Sequence, residues 1–149
     1  MKKLPITILL LVLVSSLQAQ TARDSIIATI NLFFEGMKKA DTTLLKSSLS
    51  ENAVLQTISD KGGNTSVRNE NLSNVIKSIG QLAPRAADEK IEIGTVLIDA
   101  GLASVWTPYK FYYNEKFSHC GVNSFQLVRI NNAWKIQYII DTRRTTGCL

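Results

Sequence analysis

The sequence predicts an α+β domain in which three helices precede a long antiparallel sheet. Two observations carry this. Apolar residues recur at helical spacing as far as Gly80, and from Asp88 onward four runs of strand character are separated only by short turns. With 149 residues, of which 45% are hydrophobic and 19% charged, the chain has apolar surface for one real core, which excludes repeat arrays and multidomain enzymes.

The first segment is an address rather than part of the fold. Met1-Lys2-Lys3, an apolar run from Leu4 to Val14 and the exit Ser15-Ser16-Leu17-Gln18-Ala19-Gln20 have the order of a secretory signal peptide. Cleavage is expected after Ala19, giving a signal peptide at 1–19, a single domain at 20–149 and a secreted or periplasmic location. The apolar run is about a dozen residues, short of the ~20 needed to span a bilayer. The first cysteine, Cys120, lies far from the cleavage point. Neither feature supports a stable membrane anchor after cleavage. Loss of Lys2 and Lys3 lowers the formal charge from +5 to about +3. The remaining basic residues are scattered, with no long run and no nucleic-acid motif, so nucleic acid is not an expected partner.

Helix one is read over 21–40, where Ile26, Ile27, Ile30, Phe33, Phe34 and Met37 form one apolar stripe. Asp41 is placed to cap a short second helix through Leu44, Leu45 and Leu49, its carboxylate accepting free first-turn amides. Residues 53–58 read as extended. Asp60-Lys61-Gly62-Gly63-Asn64 is a turn, and Thr65 to Arg68 a returning strand. Helix three runs from Asn69 to Gly80, with Gly80 as its stop. Four strands follow, at about 88–99, 101–113, 117–130 and 133–143, and their short turns force antiparallel neighbours.

Residues opposite one another across a hairpin have a constant index sum, and the turn positions set these sums at about 200, 230 and 263. One face then collects Ile91, Ile93, Thr95 and Leu97; Val105, Thr107, Tyr109 and Phe111; His119, Asn123, Phe125 and Leu127; and Trp134, Ile136, Tyr138 and Ile140. The opposite face, from Trp106 to Ile139 and including Asp141 and Arg143, is mixed in polarity. Pro108 inside a strand is the expected place for a bulge.

Three helices before such a sheet resemble the nuclear transport factor 2-like superfamily, which includes SnoaL-like polyketide cyclases and ketosteroid isomerases. The residues that carry the resemblance are Ile30 through Asp41, Leu44-Leu45, Asn52-Ala53-Val54-Leu55 and Ala133-Trp134-Lys135-Ile136, and it covers 21–143. Phe117 through Leu127 and Asp141-Thr142-Arg143 are similar to a secreted branch named for lumazine binding. The resemblance implies a cone with a strongly curved mixed or antiparallel sheet, a pocket between helix one and the concave face, and often a dimer formed through the sheet. Ketosteroid isomerases use a tyrosine on the first helix, and helix one here has none, which counts against isomerase chemistry.

The candidate ligand-binding residues are Phe33, Met37, Tyr109, His119, Asn123 and Tyr138. His119, the only histidine, is a candidate acid–base group with Asp141 or Asn123 orienting it; equally, it could simply order the adjacent turn. One histidine without nearby acids gives no metal-ligand set, and no cofactor is expected. Cys120 and Cys148 are an even pair in an exported chain, which favours a disulfide over free thiols. Cys120 faces about residue 143, and the tail has length enough to bring Cys148 back. Asp141-Thr142-Arg143-Arg144 either binds an anion or forms a sheet-edge ion pair, and the strand aromatics suit either a flat ligand or plain packing. Three functions fit: binding of a small apolar or aromatic molecule, a cyclase- or isomerase-type enzyme using His119, or a structural homodimer joined through the mixed face.

Overall fold

The structure, a computed structural model, describes residues 6–61 and 63–148, with side chains from Gln20 onward apart from Lys61. Helix α1 runs Ile6–Lys39, α2 Thr42–Ser48 and α3 Leu72–Gly80. The strands are β1 Leu49–Lys61, β2 Asn64–Glu70, β3 Ala87–Ile91, β4 Val96–Asp99, β5 Leu102–Tyr113, β6 Lys116–Ile130 and β7 Ala133–Thr142. They form one sheet in the order β2-β1-β7-β6-β5-β3, with β4 also pairing β5. All pairs are antiparallel except β1 with β7, which makes the sheet mixed. Among the described residues no helix is long and apolar enough to cross a membrane. Residues 1–5 of the expected signal peptide lie outside the described residues.

Local chemistry explains the helix ends. Asp41 accepts from the backbone N–H groups of Thr43 and Leu44, at 2.9 and 3.1 Å, and so caps α2. Leu49, read as helical, is instead the first residue of β1. Asn71 caps α3 through the N–H of Asn74. Gly80 is the last residue of α3 but does not take the left-handed cap conformation. A side chain there would come within 2.6 Å of the Thr42 methyl, so glycine lets α3 close onto α2.

The stripe on α1 forms the lid of the core. Ile26, Ile30, Phe33, Phe34 and Met37 are buried against Val105, Phe125, Leu127 and Ile136 of the sheet. Phe33 and Phe34 both meet Phe125 edge to face, at centroid distances of 6.3 and 5.9 Å. The hairpin turns Asn114-Glu115 and Asn131-Asn132 have positive φ at both positions, which suits the right-handed twist of their strands.

The expected hairpin pairings are observed: Ala87 opposite Tyr113, Leu102 opposite Val128 and Ile130 opposite Ala133. The irregularities lie elsewhere than expected. Pro108 pairs in register with Val122, without a bulge. Its carbonyl accepts from Glu92 N–H beyond the end of β3, so the donor that proline lacks falls where the 88–99 run breaks into β3 and β4. Past that break Val96 pairs with Val105, which turns Leu97 outward to 64% exposure.

The consequential bulge is in β7. Gln126 pairs with Tyr138 but Leu127 pairs with Ile136, leaving Gln137 as the extra residue. Gln137 is held by the Ser50 hydroxyl, which donates to its Oε1, and donates in turn to the Asn52 carbonyl, where β1 shifts register too. One extra residue reverses parity. Tyr138 and Ile140 therefore leave the concave face, and Ile139 and Asp141 enter it. Tyr138 instead donates to Gln56. Ile139, placed by its spacing on the outer face, is buried in the core.

Candidate functional site

A cavity of about 180 Å³ lies between α1, α3 and the concave sheet face. It shares Met37, Leu55, Val75, Ile79, Phe111 and Arg143 with a wider vestibule of about 580 Å³ bordered by β2 and α3. One wall is apolar, made by Phe33, Phe34, Met37, Leu55, Val75 and Ile79. The sheet wall carries Glu89, Tyr109, His119, Asn123, Asp141 and Arg143.

Of the residues singled out from the sequence, Phe33, Met37, Tyr109, His119, Asn123 and Asp141 come together around this cavity, and Tyr138 does not, for the parity reason given above. Glu89 was missed. It pairs with Phe111, which pairs with His119, so it shares parity with Ile91 and was available to the same alternation argument. Arg143 was assigned to the outer face and reaches the cavity through the same bulge.

The polar wall has two centres. In the first, Asn123 donates to Glu89 Oε1 at 2.7 Å. Glu89 is reachable from the cavity yet enclosed by protein, and burial pushes its carboxyl up to about 7, against the lowering effect of the Asn123 bond. In the second, Arg143 Nε donates to Asp141 Oδ2 at 2.8 Å, Tyr109 donates to the same oxygen at 3.3 Å, and Arg143 Nη2 reaches Thr57 Oγ1 at 3.0 Å. The parallel pairing of β1 with β7 sets Thr57 opposite Asp141. Asp141 is 5% exposed and its Oδ1 has no hydrogen-bond partner among the described residues. Burial, then Asp141 and Glu89, push the Tyr109 phenol upward, so it remains a donor.

His119 sits between rings, 5.0 Å from Phe111 and 5.7 Å from Tyr109. Its Nδ1 meets the Ser118 hydroxyl at 3.0 Å, while Asp141 is engaged by Arg143 and Tyr109, and Asn123 by Glu89. Burial and then Arg143 hold its pKa below the ordinary histidine range, so the ring is neutral at pH 7.

Tyr109 depends on Gly121, its partner across the β5–β6 pair. A Cβ at Gly121 would lie 1.8 Å from the Thr142 carbonyl oxygen and 2.9 Å from the Tyr109 ring. Without it the ring sits against the Gly121 backbone, and the single hydroxyl proton is shared between Asp141 Oδ2 and that carbonyl, the nearer acceptor at 2.9 Å. Next to it, Cys120 and Arg144 exchange both backbone hydrogen bonds, and a disulfide joins Cys120 to Cys148. Together these fix the end of β7 and with it Asp141 and Arg143. No group of three or more metal-ligating side chains occurs among the described residues.

An α+β cone of this kind, closed by a long N-terminal helix and hollow on its concave side, defines the NTF2-like fold. The chain shares that fold with solved structures across most of its length. An NTF2-like protein of unknown function from Shewanella baltica superposes with a TM-score of 0.67 at 16% identity, over 85% of this chain and 96% of that one. One from Methylobacillus flagellatus gives 0.66 at 11% identity, over 84% and 94%. A protein from Streptomyces avermitilis, named as a dehydratase candidate of the NTF2-like family, gives 0.62 at 13% identity, over 86% and 99%. The sequence matches no family model and no curated protein.

Proposed function

We propose that the protein is an exported binder of a small, flat, largely apolar molecule with one polar end. The observation that carries this reading is the division of the cavity: aromatic and aliphatic side chains on the helix side, and on the sheet side convergent polar groups fixed by one another. The resemblance to the lumazine-binding branch and the signal-peptide pattern of residues 1–19 support the reading. The test is native mass spectrometry of the protein purified from its own host. The expected result is a chain beginning at Gln20 with an added small-molecule mass that vanishes on denaturation. A protein that carries no small molecule, and takes up none from an extract of its host, would overturn it.

A second reading, acid–base catalysis of the cyclase or isomerase type, is favoured by one observation. Glu89 combines burial, a bond from Asn123 and a pKa pushed up to about 7, which suits proton transfer at neutral pH. Glu89, rather than the His119 expected from the sequence, would then be the acid–base group, and Glu89→Gln would abolish turnover while leaving ligand binding intact. A homodimer formed through the outer face is compatible with both readings, since Trp106 and Leu102 of β5 are about half exposed there.

A further inference from the structure

The outer face of the sheet carries cations in register. Lys90 of β3 pairs directly with Lys110 of β5, Lys110 with Cys120 of β6, and Cys120 with Arg144 just beyond β7. Residues paired across strands project to the same side, so Lys90, Lys110 and Arg144 lie in one row, about 14 Å long at the usual strand spacing. Glu89, Tyr109 and His119, each one position before a member of this row, line the cavity, which puts the row on the opposite face. A groove of about 310 Å³ lies along it, bordered by all three cations, by Glu92 and Tyr112, and by the bare backbone at Gly121.

Directly opposed lysines repel, and among the described residues neither lysine nor Arg144 stands within ion-pair distance of an acid. Lys90 rests over the Tyr112 ring, 4.6 Å from its centroid. Glu92 is the one acid at the groove, so three cations against one acid leave it a charge of +2. The two arginines after β7 divide their roles: Arg143 pairs with Asp141 on the cavity side, and Arg144 borders the outer groove. Arg144 is held in place. It exchanges both backbone hydrogen bonds with Cys120, its Nε donates to the Gly147 carbonyl at 3.1 Å, and the Cys120–Cys148 bridge closes the tail around it. With Nε committed, the two terminal nitrogens remain as a fork, which suits an oxyanion. A bound dianion balances the groove and relieves the lysine–lysine repulsion, whereas a single negative charge leaves it positive.

We propose that Lys90, Lys110 and Arg144 form a second site, on the outer face of the sheet, for a dianionic tetrahedral oxyanion of the phosphate or sulfate class. A free ion and the ester of a larger molecule share this chemistry. Phosphate, phenyl phosphate and acetate are titrated into the purified oxidised protein at pH 8 and constant ionic strength. The backbone amide NMR signals of Lys110, Gly121 and Arg144 report on the groove, and those of Phe33 and Met37 on the cavity. Phosphate is expected to shift the groove signals alone and to bind at least tenfold more tightly than acetate. Lys110→Gln and Arg144→Gln should each weaken it at least fivefold, while Lys46→Gln, at an exposed position on α2, leaves it unchanged. Phenyl phosphate binding more tightly than phosphate would assign the site to an ester, and equal or weaker binding to the free ion; both uphold the site. Acetate binding as tightly as phosphate, or equal weakening in all three variants, would reduce the groove to unspecific charge attraction and overturn it. Shifts confined to Phe33 and Met37 would overturn it by placing the anion in the cavity, and so would the absence of any shift with all three probes.

Discussion

The Cys120–Cys148 bridge closes a loop across 28 positions that contains β6 from Cys120 onward and all of β7. In the unfolded chain that closure removes conformational freedom worth ~3.5 kcal/mol by loop-entropy scaling. For about 130 folded residues the unfolding entropy near the midpoint is ~0.27 kcal/mol per degree, so breaking the bridge should lower Tm by about 13 °C. Cys148→Ser is the better perturbation, because Cys120 is 1% exposed and a serine there would bury a hydroxyl. Calorimetry of wild type and Cys148→Ser, with and without reductant, measures the effect. Reductant should bring wild type down to the variant and leave the variant unchanged. The variant should also show a larger dependence of stability on denaturant, since its unfolded chain exposes more surface. A Tm shift under about 4 °C, equivalent to ~1 kcal/mol, would refute the reasoning. It would mean that the paired backbones of Cys120 and Arg144 hold the tail without the sulfurs.

Glu89 makes stability depend on pH in a defined window. Its folded pKa of about 7 lies above the ordinary 4.5, so the folded state keeps a proton that the unfolded state releases. Stability from this group is complete below pH 4.5, falls as pH rises to about 7 and is flat above, for a total of about 3 kcal/mol. His119, with its pKa lowered, works the opposite way below 6.5, so the difference between wild type and Glu89→Gln in chemical denaturation is the quantity to measure. That difference should grow in favour of the variant from pH 4.5 to 7, and a constant difference would remove the claim that Glu89 is buried as an acid. Gly121→Ala should cost about 1–3 kcal/mol by forcing Tyr109 and the Thr142 carbonyl apart. The same variant should lose the upward shift of the Tyr109 phenol in a spectroscopic pH titration, and a native-like titration would show that the contact is easily relieved.

Much of the architecture is local, and local signals are present in sequence. The stripe on α1, the cap Asp41 and the turns at Asn114 and Asn131 each depend on neighbours a few residues away, whereas Asn71, read as part of helix three, is its cap, and Asn69 and Glu70 belong to β2. Those two turns and the one at Asp99-Ala100-Gly101 set the three hairpin sums, and the first two place Tyr109, His119 and Asn123 on one face. The bridge between Cys120 and Cys148 was favoured by an even pair of cysteines in a chain with a signal-peptide pattern, and the register and the reach of the tail made it feasible. Tertiary structure alone decided what happens at Gln137. Its bulge is held by Ser50 and Asn52, more than 80 residues earlier, on a strand that joins β7 in parallel, and no local pattern encodes such a pairing. Because side chains in a strand alternate, that single residue exchanged Tyr138 for Ile139 and Asp141 on the concave face. The apolar half of the cavity was thus written in the periodicity of α1, while its acid–arginine centre exists only because two distant strands meet out of step.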